Sequence, residues 1–204
     1  MIRNILIIVT MCAFSGGAAA ADSAATTDSA ATADKSKAAT DSWLSVSYGD
    51  VSTDIEDSST DTSGWRLNLS YEKGAKGGKL LHGFVIGYIE TSADVVTQAQ
   101  TTNYELTTVP IYYAPKFLLG KGPFKGFIKG AIGLQFSDFQ RTGGVAANLE
   151  TQDSGLYVGA SVGAMFIFKE KFFINAEYEW AYLSNSYYRD DEVQSAMIGI
   201  GMKF

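Results

Sequence analysis

The chain is nearly without cysteine and histidine: its 204 residues include one of each, Cys12 and His82. Cys12 lies in an amino-terminal apolar run that is expected to be removed, so the mature chain is expected to carry no thiol. That excludes disulfides and thiolate metal sites, and suits a chain that crosses an oxidising compartment unfolded. Long hydrophobic runs are also missing. Beyond residue 21 no window is apolar enough to cross a membrane as a helix. The lysines fall in separate clusters instead of one continuous basic surface, so no nucleic-acid partner is expected. Gly143-Gly-Val-Ala-Ala147 precedes no helical pattern, and no phosphate-binding loop is recognisable.

What is present begins with a leader. Met1-Ile-Arg-Asn4 carries one positive side chain, Ile5 to Phe14 is apolar but for Thr10, and Ser15 to Ala21 offers small residues at every cleavage position. Residues 1–21 are expected to be a secretory signal peptide, cleaved after Ala20 or Ala21 and too short to span a bilayer. Met11 stands where a lipoprotein anchor at Cys12 would need a small residue, so no such anchor is expected. Residues 22–42 are rich in Ala, Thr, Ser and Asp, with a near-repeat, Asp22-Ser-Ala-Ala-Thr-Thr27 and Asp28-Ser-Ala-Ala-Thr-Ala33. Without large apolar side chains nothing offsets the entropy of ordering, and a disordered leader is expected there.

Residues 43–204 read as one domain of eight alternating segments: 43–50, 64–73, 80–90, 101–116, 124–136, 155–168, 172–182 and 193–204. The second shows the pattern cleanly. Trp65, Leu67, Leu69 and Tyr71 alternate with Arg66, Asn68, Ser70 and Glu72. A period of two means a strand with one apolar face and one small or polar face. The last segment ends on Ile200, Met202 and Phe204 of one parity, with no polar tail after them. An exposed apolar strand is a liability in a soluble protein, but not in a strand that closes a membrane barrel.

The connections alternate in kind. Those at 73–79, 117–123 and 169–171 are short or basic; those at 51–63, 91–100, 137–154 and 183–191 are longer and polar or acidic. Short turns at one end and long loops at the other is the layout of an all-β, eight-stranded antiparallel transmembrane up-and-down barrel of a Gram-negative outer membrane. Its hydropathy is bland because inward and outward residues cancel; the formal net charge is −6. The strand directions then place Tyr48, Trp65, Tyr88, Tyr104, Phe136, Trp180 and Tyr182 outward at the loop end. Tyr71, Phe168, Phe172 and Phe204 fall at the turn end, with Tyr112 a little deeper. Two such girdles are where amphipathic rings sit at membrane interfaces. A soluble lipocalin-like barrel would reverse the faces. Here the face bearing charge also bears Ser45, Ser47, Gly83, Gly87, Gly133, Gly159, Gly163, Gly199 and Gly201. Small residues there leave room for bulkier inward groups such as Tyr113, Phe127 and Tyr157.

Val109-Pro-Ile-Tyr-Tyr-Ala-Pro-Lys-Phe117, followed by Phe124-Lys-Gly-Phe-Ile-Lys-Gly-Ala-Ile-Gly133, resembles the central region of small opacity-type outer-membrane barrels, the family related in form to OmpA- and OmpX-like barrels. Gly199-Ile-Gly-Met-Lys-Phe204 is similar to that family's closing strand. The resemblance implies that Phe204, with Met202 and Ile200, serves as the signal read by the barrel-assembly machinery.

Eight strands enclose an interior that side chains can fill. The inward set is expected to include Arg66, Glu72, Glu105, Lys129, Glu177, Glu179 and Lys203, joined in ion pairs because buried charge must be paired. His82 has outward parity at the turn end and reads as a surface residue. Tyr182-Leu-Ser-Asn185 has the Ser and Asn of a lipid A deacylase motif, but a tyrosine replaces its histidine, so Ser184 lacks a general base. Asp50, Asp54, Glu56, Asp57 and Asp61 read as a solvated acidic loop. No catalytic, metal or cofactor site is expected. The expected role is non-enzymatic, in envelope structure, adhesion or host contact. Its partners would be outer-membrane lipid and lipopolysaccharide, the assembly machinery, and host-surface or serum proteins. The protein would act as a monomer. A narrow channel is the second reading, and a lipid-modifying enzyme a distant third.

Overall fold

The computed structural model describes residues 41–55, 61–75, 78–96, 101–143, 149–184 and 188–204. They form β1 (Ser42–Ile55), β2 (Asp61–Gly74), β3 (Leu80–Val96), β4 (Thr101–Leu119), β5 (Phe124–Gly143), β6 (Leu149–Phe168), β7 (Phe172–Leu183) and β8 (Tyr188–Lys203). Each strand pairs antiparallel with its sequence neighbours, and β1 also pairs with β8, so the sheet closes into a barrel. At the seam Ser42 and Phe204 exchange backbone hydrogen bonds of 2.8 Å. The signal peptide, nearly all of the leader, Glu56, Asp57, residues 144–147, Asn185 and Tyr187 lie outside the described residues.

The period of two decides which side chains face the lumen. In β2, Arg66, Asn68 and Glu72 are buried while Leu67, Leu69 and Tyr71 are exposed. In β7, Phe173, Asn175, Glu177 and Glu179 are buried while Phe172, Ile174, Tyr178 and Trp180 are exposed. The outside is therefore the apolar side. Ile198 and Ile200 are 70% and 68% exposed, and Phe84, Ile132 and Leu134 join them in a belt round the barrel. A water-soluble domain would not leave so large a contiguous apolar surface uncovered. This is the exterior of a barrel that stands in lipid.

The strands run further than the alternation alone indicates. The expected loop at 137–154 is largely a hydrogen-bonded ribbon, with β5 and β6 paired out to Arg141↔Leu149. β3 and β4 likewise pair to Val96↔Thr101, and β4 and β5 to Thr102↔Gly143. Above the belt the outer face meets water, so both faces become polar and the hydropathy signal of a strand fades although the pairing continues.

The fourth strand has the opposite parity to the one expected. Leu106, Thr108, Tyr112, Ala114 and Lys116 are buried, and Ile111 and Phe117 are exposed. Tyr104 and Tyr112 therefore face the lumen, which corrects the outward positions expected for both; Tyr113, expected inside, lies on the outer face. Glu105 is exposed on the outer face as well and takes no part in the interior. The cause is that β4 carries bulky apolar residues in both registers, so alternation does not identify its faces. Phe117 and Phe124 occupy the outer position at the turn end expected of Tyr112.

Candidate functional site

The lumen is filled from end to end. Toward the loops, Val51, Ile89, Ala93, Leu106, Phe139, Leu183 and Val193 pack as the upper part of one apolar cluster that continues down to Tyr112, Tyr157, Ala114 and Ala131, with Tyr104 resting on it against Phe139. Toward the turns, Trp43, Leu81, Leu118, Phe127, Met165 and Phe173 form a second. Between them lies the ionic layer.

Arg66 is the centre of that layer and is fully buried. A guanidinium has five N–H donors and no acceptor. Here all five are used. Nε donates to Asn68 Oδ1 at 2.9 Å. Nη2 donates to the Tyr112 and Tyr157 hydroxyls at 2.9 and 2.8 Å. Nη1 lies 3.1 Å from Glu179 Oε1 and 3.4 Å from Ser195 Oγ. The Tyr157 hydroxyl also donates to Glu179 Oε1. One side chain on β2 thus ties β4, β6, β7 and β8 together across the lumen. Lys129 pairs with Glu177 and lies 3.5 Å from Glu179 Oε2; Lys116 pairs with Glu72 nearer the turns. Lys116 and Lys129 are direct register partners, so each needs its own glutamate. Arg66, Lys116 and Lys129 face Glu72, Glu177 and Glu179, and the buried layer is electrically balanced.

Glycine makes the layer possible. Gly133 sits on β5 between Tyr112 on β4 and Tyr157 on β6, opposite both in register. With no side chain between them the two rings stack, 4.6 Å apart and 20° from parallel. A Cβ on Gly133 would collide with Ile111 O and come within 2.6 Å of Tyr112 Cβ. Gly163 makes the same space for Phe127, whose Cε1 would lie 2.8 Å from an added Cβ.

Of the charges expected inside, Arg66, Glu72, Lys129, Glu177 and Glu179 meet in this layer. Glu105 does not, for the parity reason above. Lys203 stands at the turn-end mouth, paired with Asp41 at 2.8 Å and 31% exposed. Lys116 was not anticipated, because it falls at the end of the ambiguous fourth strand. The apolar layers were not anticipated either. Several of their residues, among them Val51, Ala93, Phe139, Leu183 and Val193, come from strand ends that read as loops or from their margins.

On the outer face at the loop end, Tyr48, Trp65 and Tyr88 form a ring cluster with centroids 6.1 and 5.1 Å apart. Phe136, Trp180 and Tyr182 are exposed elsewhere at that end. At the turn end Tyr71 and Phe204 are exposed, and Phe168 stacks with Phe172 at 5.8 Å. Ile200 and Met202 lead down the outer face to Phe204.

Solved structures with a similar fold include Neisserial surface protein A. That chain is 12% identical, with 80% of this chain and 97% of that one covered and a TM-score of 0.60. Ail, the attachment invasion locus protein of Yersinia pestis, is 18% identical over 81% of this chain and 99% of its own, with a TM-score of 0.54. A major outer membrane protein from Thermus thermophilus gives 12%, 80%, 99% and 0.51. The fold is that of a small outer-membrane barrel. No protein-family model matches the chain, and no curated protein matches it in sequence. At such identities the architecture is what is shared, so function is read from this barrel's own surfaces.

Its two rims differ. At the loop rim β3, β4, β5 and β6 rise together as a four-stranded sheet, whereas among the described residues the β6–β7 pairing reaches Tyr157↔Leu183, with Ser184 N–H donating to Leu156 O at 3.0 Å. From Phe136 at the top of the belt, β5 continues to Gly143, roughly 20 Å along the strand. The raised sheet carries Asp94, Glu105, Asp138, Glu150 and Asp153 against Arg141, with Asn103 donating to Asp94 at 2.8 Å. Ser184 is exposed at this rim, and Tyr182 beside it donates to Asp191 at 2.9 Å. His82, the one imidazole, is at the other rim beside the Tyr113 hydroxyl. No histidine therefore stands near Ser184.

Proposed function

We propose that this outer-membrane barrel is a non-enzymatic surface protein that acts through its loop rim, in adhesion or in contact with host-surface or serum proteins. The observation that carries the reading is the raised sheet of β3–β6. Only about 9–11 residues of a strand are needed to cross the bilayer, yet β5 and β6 have 20 each. The surplus is paired backbone held above the lipid, a fixed surface in place of a loose loop. The ionic and apolar layers below it occupy the lumen, which favours an external role over passage of solute.

The charge of the sheet narrows the partner. Ail has been crystallised with the heparin analogue sucrose octasulfate. The carboxylates on this sheet would repel a polysulfate, so the partner is expected to present a basic face. The test is binding of the refolded barrel to host cells and serum proteins. It would be compared with a variant in which β5 and β6 are joined by a tight turn at Phe136 and Ser154. The shortened barrel should keep its β-sheet circular dichroism and lose binding at least tenfold. Equal binding by the two would refute the reading.

A further inference from the structure

The turn rim carries a ring of lysines that neither the ionic layer nor the proposed role accounts for. Lys73 and Lys79 bracket the β2–β3 turn, Lys121 and Lys125 the β4–β5 turn, and Lys169 and Lys171 the β6–β7 turn. Among the described residues each turn contributes a pair, with Glu170 set between Lys169 and Lys171, so every turn brings net positive charge to the mouth. None of the six has an ion pair among the described residues; on that rim the pair is Lys203 with Asp41. Every one lies within two residues of an exposed apolar side chain at the edge of the belt. Tyr71, Leu80, Leu119, Phe124, Phe168 and Phe172 hold those positions in turn. A lysine so placed on the outer side rests its aliphatic stem on the belt and lifts its ammonium to headgroup height; Lys125, which shares the inward parity of Phe127 and Lys129, stands instead at the mouth of the lumen.

We propose that this ring is a binding surface for the phosphates of anionic phospholipids in the leaflet at the turn rim. Lysines beside a membrane attract anionic lipid, and the attraction falls off within a Debye length. The opposite rim repels such lipid through the carboxylates of its raised sheet, so the preference belongs to one leaflet. The shape of the turns supports a fixed ring. Lys169 and Glu170 hold φ of 50° and 59°, the tight hairpin that keeps Lys169 and Lys171 beside Phe168 and Phe172.

The proposal rests on the barrel standing in a bilayer, and the experiment separates the two. The full chain is refolded into phosphatidylcholine vesicles containing spin-labelled phosphatidylglycerol or spin-labelled phosphatidylcholine. The lipid immobilised at the protein surface then gives the relative association constant. Phosphatidylglycerol should be favoured severalfold at low salt, falling toward parity in high salt. Changing Lys73, Lys121, Lys169 and Lys171 to Gln should remove most of the preference; Asp94→Asn with Glu105→Gln should not lower it. Parity at low salt in the unaltered barrel overturns the proposal, as does a preference untouched by the lysine changes. Should the fourfold variant fail to fold, the salt series on the unaltered barrel decides. Soluble polyphosphate binding without lipid preference also overturns it. Failure to enter vesicles at all would instead count against the membrane reading.

Discussion

Arg66 shows how much one buried residue can hold. Its five donors each have an acceptor, and its charge is matched by Glu179 at 3.1 Å. Removing it leaves the layer one positive charge short, with Glu179 facing only Lys129 among the described cations, at 3.5 Å, between apolar side chains above and below. Breaking one partner of a buried pair costs about 3–5 kcal/mol. Arg66→Ala is therefore expected to destabilise the refolded barrel by that order in urea unfolding, and Arg66→Ala with Glu179→Gln to recover part of the loss. A change under about 1 kcal/mol in the single variant would show that Glu179 finds another partner. Most of this layer was legible in the sequence. Arg66, Glu72, Glu177 and Glu179 stand in strands whose apolar face is unambiguous, and the opposite face then has to hold them. Lys116 and Tyr112 were not legible, because Val109, Ile111 and Tyr113 compete with them for the outer side of β4.

At the scale of the element, β4 is the unusual strand. It places Pro110 and Pro115 inside a closed sheet, where a missing N–H interrupts the ladder. The pairing with β3 lapses between Ile86↔Ile111 and Ile89↔Thr108, and that with β5 between Tyr113↔Ile132 and Lys116↔Lys129. The first gap is filled by glycine: an added Cβ on Gly87 would lie 2.9 Å from Pro110 Cγ and 2.7 Å from Asn68 Oδ1. Gly87→Val is expected to cost about 1–3 kcal/mol, as overpacking does. Pro110→Ala should reduce that cost, giving a coupling above about 0.5 kcal/mol in a double-mutant cycle of unfolding midpoints. Strictly additive costs would mean that Gly87 and Pro110 do not share the space. The number and order of the strands could be read from alternation and turn chemistry. Their ends could not. The same ladder carries lipid-facing residues within the belt and water-facing residues above it, and only the first leaves a mark in hydropathy.

The molecule as a whole is divided by charge along its axis: carboxylates on the raised sheet, a balanced ionic layer inside, and lysines round the turn rim. The lysines of the turns and the acidic character of the loops follow from chain order alone, but Glu105 of the raised sheet was expected inside the barrel. The two apolar layers in the lumen were not legible, because these assemble from single residues on many strands and depend on register. They support an external role over passage of solute. An ion entering from the loop rim meets Ile89, Leu106, Phe139 and Leu183. Below them the Arg66 network spans the lumen, and below that lie Phe127 and Phe173. A charge crossing such apolar layers loses its hydration without a polar lining to replace it. The most direct measurement is the current through single refolded barrels in a planar bilayer. A barrel sealed in this way should give no discrete conductance steps above the noise of the bare membrane. Reproducible steps from the unaltered chain would contradict the sealed lumen and put the channel, the second reading of the sequence, ahead of a surface role.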